Sequence, residues 1–256
     1  MRYIAIIPAR FASTRFPGKP LAPLAGKPVV QHVYERVSEV FAEVYVATDD
    51  ERIFQAVEGF RGHAVLTRGD HRSGTDRCFE AYQKVCAGPS VDSTTQTVVV
   101  NVQGDEPFIA AAQLEAIKGC FADAAVDIAT LVKPFPADTP FPVLENPNTP
   151  KVVLDDRGYA MCFSRSVIPY LRGVPREQWP ARHRYLKHIG LYAYRTSVLE
   201  QITQLPPGDL EQCESLEQLR WLQAGFRIKV AETDLDTVGI DTPGDLLAAE
   251  RLLAGK

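Results

Sequence analysis

Short apolar runs recur along this chain with amphipathic stretches between them, and that rhythm limits the folds open to it more than any other feature. Residues 3–7, 43–48, 64–66, 97–102 and 128–132 read as strands. Residues 29–41, 53–57, 75–85 and 113–121 carry the spacing of helices; Val30, Val33, Tyr34, Val37 and Phe41 share one helix face. Asp49 and Asp50 stand before the second helix as candidate caps. Strands and helices alternating at this pitch predict parallel βαβ units with right-handed crossovers, an α/β fold. The run 97–102 is the most apolar and is expected inside the sheet.

The second half has a different rhythm. Pro134, Pro136, Pro140, Pro142, Pro147 and Pro150 predict that 133–150 is neither helix nor inner strand. Residues 151–154 and 159–163 flank Asp155-Asp156-Arg157-Gly158, a hairpin signal. Residues 166–182 read as irregular and 187–195 as a strand of period two. Helices are expected at 196–204 and 209–224, a strand at 227–231 and a last helix at 243–254. The expected architecture is one sheet with an antiparallel extension in its second half.

Composition narrows the partners. The 256 residues carry a net charge of −4, so no global basic field awaits nucleic acid and any cations act locally. Cys78, Cys86, Cys120, Cys162 and Cys213 are odd in number and form no CxxC pair. That usage fits reduced thiols in a cytoplasm and speaks against a zinc site or a disulfide scaffold. The first apolar run is too short for a signal peptide, and no stretch approaches a membrane span.

Five groups of residues can carry chemistry. After the first run, which Pro8 is expected to break, a loop presents Arg10, Arg15 and Lys19 with the hydroxyls of Ser13 and Thr14 between them. Ligands of open α/β sheets sit beyond the carboxyl ends of the strands. Three cations and two hydroxyls there suit a nucleotide triphosphate. The loop has neither the GxxxxGK[ST] pattern nor the spaced glycines of a dinucleotide fingerprint. It reads otherwise as a surface loop with incidental cations. Pro17, Gly18 and Pro20 stiffen it, and a preformed cation cluster repels itself, which favours a ligand role.

In Gln103-Gly104-Asp105-Glu106-Pro107, a buried strand delivers Asp105 to the carboxyl edge and Gly104 permits close approach. A carboxylate beside a triphosphate is suited to magnesium; a strand-ending turn explains the same residues. In Gly239-Ile240-Asp241-Thr242-Pro243, Pro243 fits the first helical position, Thr242 the N-cap and Asp245 its capping-box partner. Asp241 is then free to be a second metal ligand, or is a plain polar residue before a helix. The turn from His71 to Arg77 either reads a base or phosphate or simply starts a helix. In the second half, Arg165 and His188 are suited to an acidic sugar, and Tyr192 shares a strand face with His188. A lone histidine in such a strand is more often structural than a ligand, and Glu217 and Gln218 read otherwise as solvated helix residues.

In order along the chain, PARFASTRFPGKPL, SGTDR, VNVQGDEP, FSRSVIP, KHIGLYAYR, LEQLRWL and GIDTPGDL resemble the 3-deoxy-manno-octulosonate (Kdo) cytidylyltransferases, or CMP-Kdo synthetases, over about residues 2–254. CMP-sialate synthetases share the PAR start but tend to lack the PGKPL continuation and QGDEP. The resemblance implies a Rossmann-like mixed sheet of the nucleotide-diphospho-sugar transferase type, in a single domain. Residues 1–132 would be its nucleotide-binding half, 133–226 its sugar-binding and dimerisation part, and 227–256 a return strand and C-terminal helix. It implies a cytoplasmic homodimer that joins CTP and Kdo with Mg²⁺, releases pyrophosphate and supplies lipopolysaccharide synthesis. By motif, Ala9, Arg10, Ser13, Thr14, Arg15, Lys19, Ser73, Arg77 and Gln103 would bind the nucleotide. Gln103, Arg165, His188, Tyr192 and Glu217 would face Kdo. Asp105 and Asp241 would hold the metal, with Lys19 and Arg15 joining them in catalysis. Gly244 and Asn148-Thr149-Pro150-Lys151 depart from the family pattern. The rivals are a CMP-sialate synthetase and a non-catalytic nucleotide-binding module.

Overall fold

A computed structural model describes residues 1–12, 15–87 and 96–254; Ser13, Thr14 and residues 88–95 and 255–256 lie outside the described residues. In chain order the elements begin with β1 (Arg2–Ala9), β2 (Pro23–Leu24), β3 (Lys27–Pro28), α1 (Val29–Ser38), β4 (Val44–Thr48), α2 (Glu51–Gly59) and β5 (Ala64–Leu66). Then come α3 (Gly74–Val85), β6 (Thr97–Asn101), α4 (Ala111–Gly119), β7 (Ile128–Pro134), α5 (Phe141–Leu144), β8 (Lys151–Leu154), β9 (Ala160–Ser164) and α6 (Trp179–Arg182). The last are β10 (Leu186–Arg195), α7 (Thr196–Thr203), α8 (Asp209–Glu214), α9 (Glu217–Gln223), β11 (Ile228–Glu232) and α10 (Pro243–Ala254). They form two compact units, one of residues 1–115, 193–203 and 237–256, the other of 116–192 and 204–236.

The first unit is the expected parallel βαβ layer. Through Arg2–Ile6, β1 pairs with β6, and through Ala5–Ala9 it pairs with β4, which pairs in turn with β5. Ile4, Ala5, Ile6 and Ile7 are wholly buried, as are Val98, Val99 and Val100 of β6. Strands covered on both faces need such continuous apolar runs. Val29, Val30, Val33 and Val37 of α1 and Ile53 and Val57 of α2 face the interior. As expected, Asp50 caps α2 by accepting from the Arg52 amide at 2.9 Å.

Pro8 does not end the strand: β1 runs to Ala9, and Pro8 pairs in register with Ala47. Even-numbered residues of β1 face β6, where Val102 donates to the Ile6 carbonyl at 3.0 Å. Pro8 falls beyond the last paired residue of β6, so its missing N–H breaks no ladder bond.

In the second unit β7 and β11 are parallel, while β8 runs antiparallel to both β9 and β10. The hairpin expected at 155–158 is present, and Gly158 takes φ +74° in its turn. The proline-rich stretch nevertheless holds a helical turn, α5, capped by Pro140. Proline is tolerated there because first-turn amides have no intrahelical acceptor. The helix expected at 209–224 is split into α8 and α9, with Ser215 at φ +50° between them. Arg165 causes the break by taking the carbonyls of Glu214 and Ser215, at 2.5 and 3.2 Å. Lys151, wholly buried, donates to the carbonyls of Asn146 and Arg165 at 3.0 and 2.7 Å. Among the described residues no helix is long and apolar enough to cross a membrane.

Gly104 follows β6 where it passes β1, and a Cβ on it would lie 2.8 Å from the Pro8 carbonyl oxygen. Backbone cannot yield cheaply, so Gly104→Ala should cost about 1–3 kcal/mol. Thermal unfolding checks this: a Tm equal to wild type would show that the two chain segments part freely.

Candidate active site

Arg10, Arg15 and Lys19 of the first loop lie at the carboxyl end of β1. The loop is closed by the Gly18 amide donating to the Phe11 carbonyl at 2.9 Å, and Gly18 takes φ +73° to do so. A 3-10 turn then begins at Lys19, with Pro20 buried behind it. This places the lysine side chain, 12% exposed, over the end of β6.

Lys19 Nζ donates to Asp105 Oδ2 at 2.5 Å and to Asp241 Oδ1 at 3.2 Å. Arg15 Nη2 also reaches Asp241 Oδ1 at 3.2 Å. A backbone bond joins the two aspartate motifs: the Ile240 amide donates to the Asp105 carbonyl at 2.8 Å, and Ile240 is wholly buried. Asp245 caps the start of α10, taking the amides of Asp241 and Thr242 at 3.1 and 2.8 Å. Thr242 returns the bond to the Asp245 amide at 3.2 Å, so the capping box closes without the Asp241 carboxylate.

A cavity of about 450 Å³ opens here, lined by Ala9, Arg10, Ala12, Arg15, Lys19, Gly74, Arg77, Gln103, Gly104, Asp105 and Asp241, among others. Its size suits a small ligand. Arg77 is 1% exposed, and its Nη1 donates to Thr67 Oγ1 at 2.6 Å and lies 3.2 Å from Asp49 Oδ1. Burial lowers its pKa; Asp49 opposes that and Arg10 adds to it. Gln103 Nε2 donates to Asn101 Oδ1 at 3.3 Å.

Ser73 is not on the cavity wall. Its hydroxyl caps α3 by accepting from the Asp76 amide at 3.1 Å, and Gly74 takes the wall position. Ser13 and Thr14 lie outside the described residues. Glu106 was not singled out from the sequence. Burial, with the Asp105 charge beside it, pushes its carboxyl up to about 8, so it is neutral at pH 7 and adds no charge beside Asp105. Its place next to Asp105 was legible, but its burial comes from tertiary packing.

The second-half residues lie in the second unit. The His188 ring nitrogen Nε2 is 3.0 Å from Thr130 Oγ1, and its ring meets Phe163 and Tyr192 with centroids 5.2 Å apart in each case. Arg165 uses its side chain on the carbonyls of Glu214, Ser215 and Pro147. Glu217 accepts from Arg220 Nη2 at 2.8 Å. Gln218, expected to be solvated, is only 4% exposed, because the break at Ser215 turns the start of α9 inward.

A cytidylyltransferase family model matches residues 4–229. Relatives named 3-deoxy-manno-octulosonate cytidylyltransferase share 58% identity in Bacteroides thetaiotaomicron, covering all of both chains. One from Escherichia coli shares 45%, over 98% of this chain and 96% of the relative. The chain belongs to the 3-deoxy-manno-octulosonate cytidylyltransferase family. A solved structure of a CMP:2-keto-3-deoxy-manno-octonic acid synthetase complexed with CTP matches it with a TM-score of 0.88 at 44% identity, over 100% of this chain and 99% of that one. A 4-diphosphocytidyl-2C-methyl-D-erythritol synthase from Anaerococcus prevotii, 13% identical with a TM-score of 0.58 over 99% of each chain, shares the fold alone. The family expected from the motifs and the mixed α/β fold are thus both found.

Burial depresses the His188 pKa to about 3, well below its ordinary value near 6.5. The unfolded chain therefore binds a proton here that the folded chain refuses, between about pH 6.5 and pH 3. Stability should fall as pH drops through that window, and His188→Asn should flatten the slope. Denaturant midpoints across pH 4–7 measure it; equal slopes in both proteins would contradict the assignment.

Proposed function

We propose that this chain transfers the cytidylyl group of CTP to 3-deoxy-manno-octulosonate, giving CMP-Kdo and pyrophosphate. Full-length identity of 58% to relatives named for that activity supports the reading. The observation that carries it is Lys19 held between Asp105 and Asp241 at the floor of a cation-lined cavity. A sialic acid acceptor is disfavoured by the same family membership. The rest of the reading follows the family resemblance: the chain works as a cytoplasmic homodimer, and its product is the activated sugar for lipopolysaccharide.

Magnesium is the proposed cofactor, and the donor set fits it. Among the described residues no three His, Cys, Asp or Glu side chains gather to hold a metal. Magnesium commonly takes one or two carboxylates, with waters and substrate phosphates completing its shell. Asp105 and Asp241 are the carboxylates that would hold it. When bound, it supplies positive charge to the triphosphate oxygens.

The chain's own residues do the rest. Arg10, Arg15 and Lys19 bind the phosphates, and Arg77 and Gln103 line the nucleotide site. The anomeric hydroxyl of Kdo attacks the α-phosphorus and gives up its proton to water, the bond to the β-phosphate oxygen breaks, and pyrophosphate departs. Charge grows on the leaving group, so a cation placed there lowers the barrier by more than it tightens binding. Lys19 and Arg15 are assigned that role. Arg165, His188, Tyr192 and Glu217 are assigned to Kdo; His188 acts as a neutral hydrogen-bonding ring.

Pyrophosphate release from CTP, with Kdo and then sialic acid as acceptor, tests the reading directly. Asp105→Ala and Asp241→Ala should each reduce turnover to background with Tm preserved. Wild-type rates in either variant at saturating magnesium would remove it from the metal site. Lys19→Ala should lower kcat by about a hundredfold or more; an effect confined to KM would mean that Lys19 only binds.

A further inference from the structure

Residues 66–71, between β5 and α3, are held to α3 at three points. Lys84 Nζ donates to the Leu66 carbonyl at 2.7 Å. Glu80 accepts the Arg68 amide on both carboxylate oxygens, at 3.3 and 3.2 Å, and also bonds the His71 ring nitrogen. Lys84 and Glu80 lie one helical turn apart and pair at 2.8 Å. Burial works against the Glu80 charge, yet Lys84, the Arg68 amide and His71 bring its carboxyl down to about 2. It is therefore an anion at any working pH.

The strapped segment bears on Arg77. The Thr67 amide donates to the Thr48 carbonyl at 2.8 Å, and its hydroxyl accepts from Arg77 Nη1. Gly69 passes so near Asp49 that a Cβ there would lie 3.2 Å from Asp49 Oδ2. Asp49 is the carboxylate beside the same Nη1. Both neighbours of Nη1 are thus set by the strap. Nη2 of Arg77 is buried and has no acceptor among the described residues. A buried donor without an acceptor is costly unless a ligand supplies one.

We propose that Glu80 is a positioning residue for the nucleotide: by strapping residues 66–71 to α3 it holds Thr67 and Asp49 on Arg77, whose Nη2 takes an acceptor oxygen of the ligand. The inference rests on placing the nucleotide in this cavity. The acceptor is a phosphate oxygen or the cytosine carbonyl, which present the same chemistry to a guanidinium.

The test titrates CTP with magnesium, and inorganic triphosphate separately, onto the intact wild-type chain, Glu80→Gln, Arg77→Lys and the double variant. Glu80→Gln keeps the size of the side chain and one acceptor oxygen. It should weaken CTP about tenfold, the effect of one charged hydrogen bond, while the KM for Kdo changes by less than about twofold, as expected of a site that is not coupled. The double variant should bind CTP no more weakly than Arg77→Lys alone, because both changes act on one contact. A parallel loss for triphosphate supports the proposal with phosphate as the acceptor, and a loss for CTP alone supports it with the base. His71→Gln removes one strap contact and should give a smaller loss in the same direction. Wild-type CTP affinity in Glu80→Gln, or additive losses in the double variant, would overturn the proposal. CTP binding without turnover in the wild type would defeat the assigned reaction but leave this result standing.

Discussion

The fold brings two aspartates from motifs 136 residues apart onto one ammonium group, and the rest of the candidate site is arranged around that contact. Two like charges about 4 Å apart repel by roughly 4 kcal/mol at an effective dielectric of 20. Asp241 is half exposed, so water weakens that figure here. Even so, the carboxylates can remain neighbours only beside a cation. The backbone bond from Ile240 to Asp105 fixes their approach, and Lys19 supplies the counter-charge. Strand order, the stiff loop after β1 and the capping box of α10 all serve this meeting. In each case local hydrogen bonding leaves the charged side chain free for it.

How much of this was legible depends on the range of the interactions. The parallel core of the first unit could be read from β-branched runs, because strands buried on both faces need them. The cap at Asp50 and the box at Thr242 and Asp245 were legible for the same reason: capping acts within one helical turn. Pro8 misled because the cost of a proline depends on which neighbour its amide would face, and the sequence does not show where β6 ends. The split between α8 and α9 was hidden because Arg165, 49 residues from Glu214, draws off the carbonyls that would have continued the helix. Ser73 was assigned to the ligand from its motif, whereas its hydroxyl caps α3. The burial of Gln218 and the desolvation of the Glu106 carboxyl were missed because packing, not local pattern, creates them.

The second unit shows a different use of polar groups. Lys151 and Arg165 send their donors mainly to backbone carbonyls, and the Glu214 carboxylate takes Ser164 Oγ and the Arg165 amide at 2.6 and 2.8 Å. Such bonds replace the helix and strand ladders that this proline-rich stretch cannot supply. They fix the end of β9, the 146–147 loop and the start of α9 relative to one another. Arg165 is a structural member of this junction, and donors left over from its guanidinium are what it could offer a sugar acid.

The charges of the first-unit cavity point to the kind of ligand it takes. Arg10, Arg15, Lys19 and Arg77 face it with Asp105 and Asp241, leaving two net positive charges on its wall. A wall built for a triphosphate alone would do better without the carboxylates, which repel it. A wall built for a lone divalent ion would do better without the cations. Both signs together suit a triphosphate that arrives with its metal, for which the carboxylates would meet the metal and the guanidinium and ammonium groups the phosphates. Lys19 touches both aspartates. Were Asp105 and Asp241 to hold a metal, the Lys19 ammonium would be freer to meet the phosphates. The same contact would thus prepare the lysine for the leaving group.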